Sequence, residues 1–201
     1  MKRTKLFMDL EFTGLKQDTE IISLGITSQH GYSFYAELTD FDMEKASQDQ
    51  FIVENVLPHL YLDKKFESIA ENTHYRDPNE LKQVEDVQNN TVYFRGTLKE
   101  LKSYLIDWLA RFKSVEIWGD CLAYDWVLFC EIFGGALNIP QNVYYIPFDI
   151  STLFMVRGLK PDLSREDFVS GSLESLGNVK HNALSDAKVI LACYKKLNYE
   201  V

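Results

Sequence analysis

The chain has no apolar run approaching the roughly 20 residues that a membrane helix requires, so a helical membrane span is not expected. Cysteine is scarce: Cys121, Cys130 and Cys193 in 201 residues, with no Cys-x-x-Cys pair. That odd count excludes a disulfide-stapled scaffold, and all three are expected to be buried, reduced and apolar in behaviour. His30, His59, His74 and His181 do not cluster with the cysteines, which excludes a structural zinc centre. Internal repeats, low-complexity tracts and a Pro/Gly/Ser-rich linker are also lacking, so one domain over residues 1–201 is expected. Positive charge is in short supply, with 21 Lys and Arg against 30 Asp and Glu and a formal net charge of −9. Such a balance argues against gripping long nucleic acid by bulk electrostatics. It allows a small-molecule enzyme, or a nucleic-acid enzyme that brings its own cations.

What is present suits a soluble globular domain: 46% apolar and 25% charged residues, enough chain to bury a core unaided. The basic start, Met1 to Lys5, runs into Leu6-Phe7-Met8-Asp9, where an acid interrupts any signal-peptide core. The expected location is the cytoplasm. Apolar patterning predicts strands over Lys5–Leu10, Glu20–Thr27 and Tyr32–Leu38, the last two joined by a turn at Gln29-His30-Gly31. Gln48–Val56 reads as a helix ending before Pro58, and residues 60–95 as an irregular insertion with one short helix near Asn79–Val87. Thr97-Leu-Lys-Glu100 has the pattern of a capping box, and Leu98, Leu101, Leu105, Trp108 and Phe112 then recur at helical spacing. A strand at Val115–Trp118, a helix at about Leu122–Phe133 stopped by Gly134-Gly135, a strand at Val143–Ile150 and a helix at about Asn182–Leu197 complete the reading. Antiparallel strands followed by strand–helix alternation imply an α/β architecture, a mixed sheet flanked by helices.

Three acidic clusters stand at the ends of these elements. Asp9 and Glu11 are two apart in a strand and so share a face, where their repulsion is costly unless a cation lies between them; Leu10 points the other way, into the core. In Trp118-Gly-Asp-Cys-Leu-Ala-Tyr-Asp125, Asp120 suits a helix N-cap and Asp125 the first helical turn, as dipole compensation or as a metal ligand. In His181-Asn-Ala-Leu-Ser-Asp186, Asn182 suits an N-cap, Asp186 stands on the first turns, and His181 sits in the loop before them.

Together these pieces resemble the DEDD superfamily of 3′–5′ exonucleases, in its DEDDh branch with the ribonuclease H-like fold. The resemblance runs from Leu6 to about Leu197, residues 60–95 apart. Asp9-Leu-Glu11-Phe-Thr13-Gly-Leu15 is similar to the DxExTGL motif of oligoribonuclease and ribonuclease T relatives. Tyr124-Asp125 matches the aromatic-Asp core of the second motif, whose Asn normally lies a few residues earlier, where this chain has Asp120. His181-x4-Asp186 has the order and spacing of the DEDDh signature. The stretch Trp118–Trp126, with Val56-Leu-Pro-His-Leu60, is similar to a ribonuclease T-like bacterial and phage exoribonuclease subfamily.

The resemblance implies a mixed five-stranded sheet and a metal-dependent 3′–5′ exoribonuclease acting on single-stranded RNA 3′ ends or overhangs, with nucleoside 5′-monophosphates as products. It implies two Mg²⁺ ions per site, Mn²⁺ able to substitute: Asp9 between them, Glu11 and Asp186 on the first, Asp125 near the second. Hard oxygen donors suit these ions. His181 would take the proton of the attacking water, and Thr13 and Leu15 would meet the last nucleotide. Tyr124, with Trp126, Tyr144 and Tyr145, is a candidate for base stacking, and Arg157, Lys160 and Lys180 for phosphate contacts. Relatives of the fold often pair into homodimers. A 3′–5′ DNA exonuclease and a catalytically inactive nucleic-acid-binding module of the same fold remain open alternatives.

Overall fold

Strand β1 (Thr4–Phe12) organises the molecule through the alternation of its side chains. The computed structural model describes residues 3–71, 81–170 and 179–199. On one face of β1, Leu6, Met8 and Leu10 enter the largest core cluster. That face is covered by α4 (Leu98–Leu109) and α5 (Ala123–Ile132). On the other face Phe7 packs against α6 (Ile150–Val156) and α8 (Ala183–Tyr199). Asp9 and Glu11 continue the Phe7 face beyond its apolar part.

The other strands are β2 (Ile21–Ser28), β3 (Ser33–Leu38), β4 (Gln83–Asp86), β5 (Thr91–Gly96), β6 (Val115–Gly119) and β7 (Phe148–Asp149). Among the described residues they form with β1 a seven-stranded sheet in the order β4-β5-β3-β2-β1-β6-β7, two more strands than expected. β1, β2 and β3 are antiparallel neighbours, whereas β6 and β7 run parallel to β1. The sheet is therefore mixed and flanked by helices, as the sequence pattern implied. Before β4 lie α1 (Met43–Ser47), α2 (Gln50–Asn55) and α3 (Leu62–Glu71), and before α8 lies the short α7 (Arg165–Phe168).

The departures have local causes. Residues 60–95 are not an irregular insertion: they hold α3 and the β4–β5 hairpin, which extends the sheet by pairing β5 parallel to β3. The helix expected at Asn79–Val87 is strand over Gln83–Asp86, residues 79–80 lying outside the described residues. Asp86 accepts from the Asn89 N–H (3.1 Å), and Asn90 takes a φ of 50°, so the turn chemistry belongs to a hairpin. The strand expected over Val143–Ile150 shrinks to Phe148–Asp149 plus a bridge between Val143 and Val115. Pro147 has no N–H to offer a ladder, and Asp149 caps α6 by accepting from Thr152 (2.9 Å). The capping box at α4 forms as written: Glu100 Oε2 accepts from the Thr97 N–H (2.8 Å) and Thr97 Oγ1 from the Glu100 N–H (3.3 Å). Cys130 and Cys193 are buried, but Cys121 is exposed, against expectation, in the turn after β6. Among the described residues no helix is long and apolar enough to cross a membrane.

One contact sets the height of α8 over the sheet. Gly25 stands opposite Asp9 in the β1–β2 register. A Cβ there would lie 2.2 Å from the carbonyl carbon of Ala183. The helix start thus rests directly on the strand backbone beside Asp9, which only glycine permits. Gly25→Ala is expected to lower the free energy of urea unfolding by at least about 1–3 kcal/mol, the usual cost of overpacking. An unchanged unfolding midpoint would show that the helix has room there.

Candidate active site

Past Trp118 the parallel pairing of β6 with β1 ends and the chain turns into α5, leaving β1 beyond Phe7 with an open edge. Such a crevice at strand C-terminal ends, where connections leave in opposite directions, is where α/β sheets place their ligands. Here it is a cleft of about 330 Å³ lined by Asp9, Glu11, Asp125, Asp186, His181 and Tyr124, among others. Asp125 satisfies the open edge, its Oδ1 accepting from the Leu10 N–H at 2.9 Å. That bond orients a carboxylate only 7% exposed. From the opposite side, Asp186 accepts the His181 N–H at 2.9 Å through Oδ2.

The carboxyl groups are crowded and partly stripped of water. Burial first, then the charges of Asp125, Asp186 and Glu11, hold the Asp9 carboxyl well above the usual carboxylate range. Glu11 is pushed up to about 8, by burial and then by Asp186 and Asp125. Burial raises Asp186 to about 7 and Asp125 to about 6. Four carboxyls in one cleft with raised affinity for protons have the same incentive to bind a cation. Donor atoms of Glu11, His181 and Asp186 all lie within 4.8 Å of one another. An all-oxygen set with one imidazole alongside fits Mg²⁺ or Mn²⁺.

His181 takes a φ of 60°, uncommon for a residue with a side chain, and its neighbours hold it there. Asn182 caps α8, its Oδ1 accepting from Ser185 (3.2 Å), while its Nδ2 donates to the Tyr35 hydroxyl (3.0 Å) and the His59 carbonyl (3.3 Å). Tyr35 in turn donates to buried Glu37 (2.9 Å). The imidazole meets Phe51 edge to face at 4.9 Å. Burial, then Lys180 and His59, lowers its pKa, a shift that favours the neutral imidazole.

The structure thus brings Asp9, Glu11, Asp125, Asp186, His181, Leu15 and Tyr124 to one cleft. Leu15 is 75% exposed, and Tyr124 stacks on Phe12 at 5.6 Å. Thr13 does not join them: it is buried, its N–H donates to the Glu20 carbonyl (2.9 Å), and its hydroxyl accepts from the Glu20 N–H (3.0 Å). It closes the turn that carries Leu15. Asp120 is not the N-cap of α5, which has no side-chain cap; it pairs with Arg165 instead. Of the candidate phosphate contacts, Lys180 lines the cleft and pairs with Glu166 at 3.6 Å, whereas Arg157 donates to Asn198 (3.1 Å) and, like Lys160, does not line it. Trp126 packs on Phe129, and Tyr144 on Tyr145 and Phe148, outside the cleft. Sequence reasoning missed Phe51, Arg165 and Glu166, which carry no motif. Phe51 was visible only as an apolar residue on a short helix.

Residues 4–197 match the family described as the Rv2179c-like 3′–5′ exoribonuclease domain. Two proteins of Mycobacterium tuberculosis are 27% identical over 154 residues, 77% of this chain and 76% of theirs: 3′–5′ exoribonuclease Rv2179c of strain H37Rv and 3′–5′ exoribonuclease MT2234.1 of strain CDC 1551. Among solved structures, one describing 3′-end specific recognition of histone mRNA stem-loop by a 3′-exonuclease superposes with a TM-score of 0.57 at 12% identity, covering 98% of this chain and 82% of that one. That likeness establishes the fold, which is ribonuclease H-like.

The raised carboxyls have a consequence for stability. Where the folded chain holds protons that the unfolded chain has released, ionisation opposes folding. Their contribution is full below the ordinary carboxylate range near about 4 and is lost as pH rises toward the value of about 8 at Glu11. In a chelating buffer the melting temperature is therefore expected to fall steadily from pH 5.5 to pH 8.5, and to fall less for Glu11→Gln. A flat or rising profile would contradict the crowding described.

Proposed function

The chain belongs to the Rv2179c-like 3′–5′ exoribonuclease domain family, and from that premise we propose that it is a metal-dependent hydrolase of DEDDh type that trims single-stranded RNA ends or overhangs from the 3′ terminus, releasing nucleoside 5′-monophosphates. The observation that carries the reading is the meeting of Asp9, Glu11, Asp125, Asp186 and His181 in one cleft.

In this reading Asp9, Glu11 and Asp186 would hold one Mg²⁺ ion, and Asp9 and Asp125 would serve a second. When bound, such ions neutralise the phosphate, ease ionisation of the attacking water and stabilise the leaving oxygen. Asp125 keeps its place through the Leu10 N–H, and Asp186 through the His181 N–H. His181 accepts the proton of the attacking water at an imidazole nitrogen, a contribution of about 10²–10⁴ in rate. Beside Glu11 an apolar recess of about 350 Å³, lined by Phe12, Leu15, Phe51, Ile52 and Val56, offers the terminal base a place out of water. Leu15 and Phe51 stand at its mouth, 75% and 51% exposed. The acidic remainder of the surface leaves substrate binding to local contacts and makes it salt-sensitive.

The test is a time course on a 5′-labelled RNA with a single-stranded 3′ overhang, in Mg²⁺, Mn²⁺ or EDTA, beside DNA of the same sequence. The expected result is a metal-dependent ladder shortening from the 3′ end, faster on RNA. Faster shortening of the DNA would favour a DNA exonuclease; no shortening by folded protein would favour an inactive binding module. Asp186→Asn is expected to abolish cleavage and weaken Mn²⁺ binding with the fold intact. His181→Ala is expected to cut turnover by the same about 10²–10⁴ while leaving Mn²⁺ binding nearly unchanged; loss of both together would make His181 a structural or ligating residue.

A further inference from the structure

Asp120 and Arg165 line the same cleft yet have no part in the chemistry above. Asp120 follows β6, near enough for its charge to act on both Asp9 and Asp125. It and Glu166, which pairs with Lys180, are two further carboxylates at the margin of the four-carboxylate cluster. Arg165, the first residue of α7, closes on it as a fork, with Nε to Oδ2 and Nη2 to Oδ1 both at 2.9 Å. The pair is shielded, the side chains being 11% and 25% exposed. Ser151 Oγ donates to Asp120 Oδ1 at 2.6 Å and accepts from Arg165 Nη2 at 2.8 Å.

The rest of the guanidinium is also committed. Nη2 donates to the Pro161 carbonyl (2.7 Å) and Nη1 to the Leu163 carbonyl (2.5 Å), and the group lies over the Phe154 ring at 4.4 Å. With all three of its nitrogens engaged, the guanidinium is held away from a substrate phosphate, and both oxygens of Asp120 already accept from other groups, which weakens it as a metal ligand. The charge of Asp120 still reaches Asp9 and Asp125, and the Arg165 guanidinium paired with it offsets part of that charge. Bidentate geometry of this kind is specific to arginine and strong when partly desolvated.

We propose that Arg165 is a positioning residue that sequesters Asp120, keeping a further carboxylate out of the divalent-ion site so that coordination rests on Asp9, Glu11, Asp125 and Asp186. The inference rests on the reading of that cluster as a divalent-ion site. Removal of Arg165 frees a negative charge beside the cluster, which attracts cations more strongly and repels incoming phosphodiesters. Removal of the Asp120 charge leaves a bare guanidinium that repels cations.

The experiment is calorimetric titration of Mn²⁺ into the wild type, Arg165→Met, Asp120→Asn and the double variant, with a thermal melt of each as a check on folding. Arg165→Met is expected to bind Mn²⁺ about three- to tenfold more tightly while kcat on RNA falls. Asp120→Asn is expected to bind it more weakly by a similar factor, and the double variant to return within about twofold of wild type. A merely structural arginine would lower the melting temperature without tightening Mn²⁺ binding. Weaker or unchanged binding in Arg165→Met, or a double variant that keeps the single variant's affinity, overturns the proposal. Should Arg165→Met fail to fold, Asp120→Asn decides alone, unchanged affinity counting against the proposal. If the wild type takes up no Mn²⁺, the divalent-ion reading falls with it; if the wild type binds and the variants match it, only the role of Arg165 falls.

Discussion

Carboxylates that are half-buried and close together repel one another, and a fold that assembles four of them works against its own stability. Asp9, Glu11, Asp125 and Asp186 are in that position, with affinities for protons raised far enough that several hold one near neutral pH. The surrounding structure can be understood as what is needed to hold this cluster together. Each acid is tied down separately: Asp9 and Glu11 by the register of β1 with β2, Asp125 by a backbone N–H at the strand edge, Asp186 by the N–H of His181.

The supporting contacts are ordinary in kind and specific in place. Gly25 lets the start of α8 rest on the sheet at the level of Asp9, which sets the distance from β1 to Asp186 and His181. The chain of hydrogen bonds from Glu37 through Tyr35 to Asn182 fixes the residue beside His181 in a buried setting, where such networks are strong. Arg165 pairs with Asp120, whose charge adds to the repulsion on Asp9 and Asp125. Cluster, helix height and loop geometry are therefore one construction, although they come from segments more than a hundred residues apart.

Much of this was legible in the sequence, for reasons that differ by element. Period-two patterning in β1 dictates which residues share a face, so the sequence alone pairs Asp9 with Glu11 and turns Leu10 to the core. The Thr97–Glu100 box and the stripe behind Asn182 gave α4 and α8, because capping chemistry and helical spacing are local signals. The β4–β5 hairpin was not legible: Gln83–Asp86 is polar and becomes a strand only by pairing with the apolar Thr91–Gly96. Val143–Ile150 misled in the opposite way, since its apolar run is cut by Pro147 and by the demand of α6 for a cap at Asp149. Asp120 read as a helix cap because a cap is a local role, whereas its partner Arg165 lies 45 residues away in a segment with no periodicity. The resemblance places Thr13 with the substrate, and its hydrogen bonds close the turn before β2, a role that no local pattern announces.

In the function we propose, this cluster binds divalent ions that replace its protons. The most direct measurement is a calorimetric titration of Mn²⁺ at pH 7 in buffers of different ionisation enthalpy, which counts ions and released protons together. The account predicts two ions per chain, with protons released from the carboxyls raised to about 7 and about 8. Absence of saturable binding, or binding that releases no protons, would contradict it.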